Sequence, residues 1–357
     1  MAKVFINGAG GFVGSHIVEA FCREGHQVTA SDIQGADFSI PKKAGAKIVP
    51  ADITDPKAVK EVVAGHDVVV NVAGIFDLAA PRELMEKVNV QGVRNMCEAS
   101  LDNGVSRFVQ LSTVGVYGKP EKTPCSEPDP KNPVDNYGQT KWLGEQEAFR
   151  YHREKGLPVT ALRPTLIYGP RSQYGQAMYI GLFSLMKHRG RKGIAMVDSG
   201  PLTHHAHVED AGRAVLLLAE KDQAVGRAFN LADDAPITFR EMMEHTLEPL
   251  GMKIGKTIAY KPWLWQSLIK TARVLIPGNL SPLQNLVSRR WQEVVSECSL
   301  TGDLRLRLDV NWMLYCQDDM VYDISQIKEL GLKLAYPTFK EGVAQTIEWY
   351  RDNRWIP

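Results

Sequence analysis

An α/β fold on a doubly wound parallel sheet, with a smaller and mainly C-terminal subdomain, is what this sequence predicts. Three observations predict it. Short apolar runs alternate with helical patterns over the first 235 residues, as in a parallel sheet whose crossovers are helices. A glycine cluster, GAGGFVG at 8–14, stands between the first strand pattern and the first helical one. After about residue 240 the composition shifts, and six of the seven tryptophans lie at or beyond Trp263.

The elements follow in order. KVFIN (3–7) reads as a strand, GSHIVEAFCREG (14–25) as a helix, QVTASD (27–32) and AKIVPAD (46–52) as the next strands. DVVVNVAG (67–74) lacks polar alternation, which marks a strand buried on both faces. RFVQLST (107–113), PVTALRP (158–164) and RAFNLAD (227–233) continue the series, and the clearest helices span 83–103 and 136–154. In KPWLWQSLIKTARVLIP (261–277), helical projection puts Leu264, Trp265, Leu268, Ile269, Ala272, Leu275 and Ile276 on one face. Gln266, Lys270 and Arg273 take the other, between Pro262 and Pro277. Such a helix buries its apolar face, covers an apolar pocket, or lies on a membrane surface with Lys270 and Arg273 at lipid phosphates.

With 357 residues, 44% hydrophobic and 23% charged, the composition is that of a globular protein. Net charge is +1 and no Lys/Arg block stands out, which argues against a nucleic-acid partner. The five cysteines (22, 97, 125, 298 and 316) show neither C-x-x-C nor metal spacing, as expected of a reducing compartment. MAKVFI opens without a signal-peptide pattern and no run of 18 apolar residues occurs, so a cytoplasmic protein is expected. His205 and His207 of HHAH would share a strand face, but no Cys or carboxylate joins them at ligand spacing, and no metal is expected.

Gly8, Gly11 and Gly14 form G-x-x-G-x-x-G; Val13 departs from the G-x-G-x-x-G of the Rossmann fingerprint. Glycines there let the backbone approach a pyrophosphate resting on the following helix N-terminus. Asp32 lies 18 residues after Gly14, where a carboxylate accepts from ribose hydroxyls and repels a 2′-phosphate. Ile33, Gln34 and Gly35 offer no Arg for that phosphate, so NAD is expected over NADP. Asp52 reaches the adenine or caps a helix at Pro56. Val72, Ala73 and Gly74 are small enough for close approach of backbone and cofactor. Residues 1–170 then form an NAD-binding Rossmann core. Residues 171–357 mix returning core elements (203–235) with a substrate subdomain (236–357).

Tyr-x-x-x-Lys occurs three times, at Tyr137/Lys141, Tyr151/Lys155 and Tyr336/Lys340. On a helix that spacing sets an ammonium beside a phenol, and the spacing alone does not choose among them.

Taken in order, GAGGFVG, ADITD, VAG (72–74), KVNVQG (87–92), LSTVGVYG (111–118), YGQTK (137–141), LRPTLIYGP (162–170), HVEDAGRAV (207–215) and DISQIKELG (323–331) resemble the extended short-chain dehydrogenase/reductase family. LRPTLIYGP and the Trp-rich end look more like its 3β-hydroxysteroid dehydrogenase branch. The resemblance implies Thr113, four residues before Tyr117, as hydrogen-bond donor to the substrate oxygen, with Ser112 on the opposite strand face. It implies Tyr137 as acid/base and Lys141 as its electrostatic partner and ribose anchor. A lysine ammonium and a nicotinamide cation both favour the phenolate of a group that otherwise titrates near pH 10.

The cofactor set is then Gly8, Gly11, Phe12, Val13, Asp32, Asp52, Ile53, Val72, Ala73, Gly74, Tyr137, Lys141, Pro164 and Thr165. The expected reaction is hydride transfer between NAD and a hydrophobic secondary alcohol or ketone, a 3-hydroxysteroid or another β-hydroxy/keto lipid-like substrate. A nucleotide-sugar epimerase or dehydratase is the alternative, and a non-catalytic dinucleotide-binding protein a third. A homodimer through 83–103 and 136–154 is usual for such folds.

Overall fold

Val68–Asn71 is buried along its whole length because it sits inside a seven-stranded sheet. The computed structural model describes residues 1–77, 80–275, 281–307 and 317–357, without the side chains of 272–275 and 281. Cys316, Trp312, Ile276 and Pro277, and the side chains of Ala272, Arg273 and Leu275, fall outside the described residues.

The sheet strands are β1 (Lys3–Asn7), β2 (Gln27–Ser31), β3 (Lys47–Ile48), β4 (Val68–Asn71), β5 (Arg107–Leu111), β6 (Val159–Pro164) and β7 (Ala228–Leu231). The longer helices are α1 (Phe12–Arg23), α2 (Pro56–Val63), α3 (Val93–Asp102), α4 (Asn136–Lys155), α5 (Gln176–His188), α6 (Val208–Glu220), α7 (Phe239–Leu247), α8 (Pro262–Leu275), α9 (Ser281–Glu297) and α10 (Phe339–Asp352). The chain divides into two compact units.

The first unit holds residues 1–167, 208–232 and 322–335. Its sheet is parallel throughout, in the order β7-β6-β5-β4-β1-β2-β3. Strand order reverses beside β1, which pairs with both β2 and β4, and ligands of open α/β sheets bind at the carboxyl ends of strands at such a point. Phe5, Val69, Phe108 and Val159 stand in register across four strands, on the face covered by α2, α3 and α4. α1 packs on α6, where Gly212 brings the helices close at Ala20.

One step further along the same face, Asn7, Asn71 and Gln110 replace the apolar ladder. Asn7 donates to Asn71 (3.3 Å) and Asn71 to Gln110 (2.9 Å), so the ends of β1, β4 and β5 are joined by buried amides. The expected helix 83–103 is observed as Arg82–Glu86, a π-helical stretch Lys87–Gly92, and α3. α4 starts at its Asp135 cap and ends at Gly156 in the left-handed region, with His152, Arg153 and Lys155 in its last turn.

Arg163 of β6 and Glu145 of α4 pair at 2.5 Å, 4% and 1% exposed. Arg163 also donates to the Tyr117 hydroxyl (2.7 Å), which donates to Asn230 of β7 (2.8 Å). This network fastens α4 to the sheet.

The second unit holds residues 168–207, 233–321 and 336–357. Residues 168–170, 203–207 and 233–235, expected with the sheet, belong here, and 322–335, expected in the C-terminal subdomain, belong to the sheet unit. Its core joins Phe183 of α5, Phe239 and Met242 of α7, Trp291 of α9 and Ile347 of α10. Trp291 is buried and donates to the Leu304 carbonyl at 2.7 Å. α8 departs from the expected face. Ile269 is fully buried and Trp265 packs on Phe239, whereas Leu264 and Leu268 face solvent at 41% and 56% exposure.

Arg163→Met leaves Glu145 charged, buried and unpaired. It should lower unfolding free energy by about 3–5 kcal/mol in urea melts, and adding Glu145→Met should recover much of that loss.

Candidate functional site

β1 leads into the glycine loop beside the exit of β4. Gly8 has φ +80°, and a Cβ there would stand 2.5 Å from the Ala73 amide nitrogen. The loop therefore packs backbone to backbone against Val72–Ala73. A Cβ on Gly14 would overlap the Gly8 carbonyl, so α1 begins close against the strand it follows. Gly11 occupies the cap of α1 and supplies no capping side chain, and the positive end of the helix dipole starts at Phe12 and Val13.

Asp32, just past β2, accepts from the amides of Gly10 (3.0 Å) and Ile33 (2.8 Å). Burial raises its carboxyl pKa, and these two amides oppose the rise. Asp52 is exposed and accepts from Thr54 (2.8 Å). The cap before Pro56 is Asp55, which accepts from Lys57 and Ala58, so the capping alternative for Asp52 is corrected. The Ile53 side chain is buried against Gly92 and belongs to the core.

Tyr137 is the second residue of α4, half-buried, its ring edge-on to Phe76 at 4.8 Å. Asp135 holds this turn by accepting from Gly138 (2.7 Å). One turn on, Lys141 is buried and its Nζ donates to the Leu111 carbonyl at the end of β5 (2.5 Å). Burial pushes Lys141 down to about 8, with Glu145 opposing. A Cβ on Gly74 would stand 3.5 Å from Lys141 Nζ and 3.1 Å from Asn89 Oδ1, so the exit of β4 reaches the same ammonium.

Thr113 is extended (φ −162°), and its Oγ1 accepts from Gly115 (3.1 Å). The Gly115 carbonyl is 2.7 Å from where a Cβ of Gly138 would be. Two glycines thus seat the Thr113 turn against the first turn of α4, next to Tyr137. The hydroxyls of Ser112 and Thr165 are buried without a hydrogen bond. Thr165 donates its amide to Leu231, and Pro164 pairs with Leu231 in the β6–β7 register.

Asn89 escaped the sequence reading. It accepts from Ile75 (2.9 Å) and donates to Thr140 of α4 (3.0 Å), joining the β4 exit to the helix of Tyr137 and Lys141. Its signal was an amide inside the apolar helical pattern KVNVQG.

The other two Tyr/Lys pairs are built differently. Tyr151 is in the core with Lys155 Nζ 4.6 Å from its ring centroid. Tyr336 lies on His207 at 4.0 Å, and Lys340 is 3.7 Å from Glu248. Burial lowers His205 to about 3 and His207 to about 4. Among the described residues no group of three His, Cys, Asp or Glu could hold a metal.

A model of the NAD dependent epimerase/dehydratase family matches residues 4–232. The N-acetyl-alpha-D-glucosaminyl-diphospho-ditrans,octacis-undecaprenol 4-epimerase of Escherichia coli O157:H7 is 28% identical over 71% of this chain and 73% of its own. The dTDP-glucose 4,6-dehydratase of Streptomyces niveus is 27% identical over 99% and 95%. DesIV, the dTDP-glucose 4,6-dehydratase of Streptomyces venezuelae, solved with NAD and TYD bound, has the same fold (TM-score 0.72, 22% identity, 99% and 98% covered).

The low pKa of Lys141 has a measurable consequence. Its folded value, about 8, lies below the unfolded lysine value of about 10.4, so the unfolded chain binds more protons between them. The cost of burying the ammonium is complete below pH 8 and is relieved as pH rises. Relative to Lys141→Met, the wild type should gain about 3 kcal/mol between pH 7.5 and 10.5, read from paired denaturant melts.

Proposed function

Because the chain belongs to the NAD dependent epimerase/dehydratase family, we propose that it oxidises a secondary alcohol of a glycosyl diphosphate and returns the hydride in the same turnover. One observation carries this reading: a buried lysine sits one helical turn after Tyr137, on the helix against which the Thr113 turn is seated. A glycosyl diphosphate takes precedence over the hydroxysteroid that LRPTLIYGP and the Trp-rich end suggested. Both curated relatives described above are named for sugar diphosphates, and one spans 99% of this chain.

The glycine loop fits a dinucleotide, since it leaves no side chain between the start of α1 and the exit of β4. Gly8, Gly11, Phe12 and Val13 would hold its phosphates, Asp32 its adenosine ribose, and Asp52 with the backbone of Ile53 its adenine edge, the Ile53 side chain being in the core. Val72, Ala73 and Gly74 would line its path, and Pro164 and Thr165 would border its nicotinamide end. NAD, when bound, takes up the hydride and gives it back.

The chain's own residues handle the proton. Tyr137 Oη removes it from the substrate hydroxyl and returns it to the product. Lys141 stabilises the phenolate by charge and binds the nicotinamide ribose. Thr113 already accepts from Gly115, so its own O–H is left to donate to the substrate oxygen.

Incubation of purified protein with NAD and UDP- or dTDP-hexoses tests the reading. An epimer or a keto-deoxy sugar should form without net NADH. Steady NADH accumulation with hydroxysteroids, and no turnover of sugars, would restore the dehydrogenase reading. Tyr137→Phe should lower turnover by about 10²–10⁴ while NAD binding, measured by calorimetry, changes less than about twofold.

A further inference from the structure

No Asp or Glu occurs between Glu248 and Glu293, whereas Lys253, Lys256, Lys261, Lys270, Arg273, Arg289 and Arg290 all do. Forty-four consecutive residues thus carry +7 in a chain whose net charge is +1. Among the described residues, the same segment holds the large exposed apolar side chains of the second unit. Trp263 is 69% exposed, Leu264 41% and Leu268 56% on α8, and Leu283 48% and Leu286 51% on α9.

Their arrangement on α8 is ordered. Projected at roughly 100° per residue, Trp263, Ser267, Thr271, Leu264 and Leu268 fill one contiguous arc. Lys261 and Lys270, both exposed, stand at its two edges. Neither makes an ion pair among the described residues. Trp265 and Ile269 point the opposite way, into the unit's core. Among the described residues the acidic groups that approach this element are Asp318 at Gln266, and Asp198, Asp318 and Asp319 at Tyr260, whose amide donates to Asp198 (2.7 Å). On α9, Arg289 and Arg290 meet Glu293, so the positive charge without an ion pair among the described residues is that of Lys253 and Lys256 on the strand Lys253–Ile258, Lys261 just before α8, and Lys270 within it.

We propose that this face of α8 docks on an anionic phospholipid surface. Trp263, Leu264 and Leu268 enter the headgroup–acyl boundary, and Lys261 and Lys270 extend to phosphates on either side. Charge selects this occupant. A second copy presenting the same face would bring +7 segments together. No described helix is long and apolar enough to cross a membrane, so the helix lies along the surface. The inference does not rest on the redox reading, since it uses only the second unit's surface.

The experiment is sedimentation of the full chain with vesicles of phosphatidylcholine, with or without about one third phosphatidylglycerol. Binding should need the anionic lipid and fall with added salt. Lys261→Gln with Lys270→Gln should weaken it about twentyfold, and Trp263→Ser with Leu268→Ser at least about tenfold. NAD binding and circular dichroism of both variants should match the wild type, which separates lost docking from lost folding. Absence of sedimentation, equal binding to neutral vesicles, or binding untouched by both double variants would overturn the proposal. So would a dimer that shields Trp263 from quencher without any affinity for vesicles.

Discussion

A lysine ammonium stripped of water at the end of β5 is the constraint around which the sheet unit is arranged. The Leu111 carbonyl accepts from Lys141 and Glu145 favours its charge, while burial works against both. Its helix, α4, packs on the face of the sheet and brings this ammonium to the end of β5. The Asp135 cap, the Gly115–Gly138 contact and the Arg163–Glu145 pair each fix one part of that helix.

The glycine loop answers a related demand from the other side of the switch point. Between β1 and β4 the backbones come so close at Gly8 and Ala73 that no side chain intervenes. The amide row Asn7–Asn71–Gln110 holds the three strand ends level. Strand pairing, helix starts and polar ladder thus converge on one edge of the sheet.

Much of this was legible in the sequence for a simple reason. Strands buried on both faces leave unbroken apolar runs, and β1 matches its expected bounds, 3–7. The third strand shrank from 46–52 to Lys47–Ile48 because it lies at the sheet's rim, with only β2 to pair with. The π-helical stretch at 87–92 was hidden, since one extra residue per turn barely disturbs the apolar pattern of 83–103. The existence of α8 was legible but its inward face was not, because periodicity ranks residues by polarity and cannot say where a neighbour stands. For the site, ordered motifs singled out Thr113, Tyr137 and Lys141. Asn89 and the Arg163–Glu145 pair depend on partners far along the chain, which no local pattern announces.

The π-helical stretch also bears on what the helix of Tyr137 can tolerate. By loosening one turn it presents the Asn89 carbonyl toward α4, where Gly144 lies so close that a Cβ would overlap it. A methyl group there would act as a wedge beneath the helix between Lys141 and Glu145, prising both from their seats. A position with no side chain of its own therefore governs the alignment of the two charged groups on either side of it.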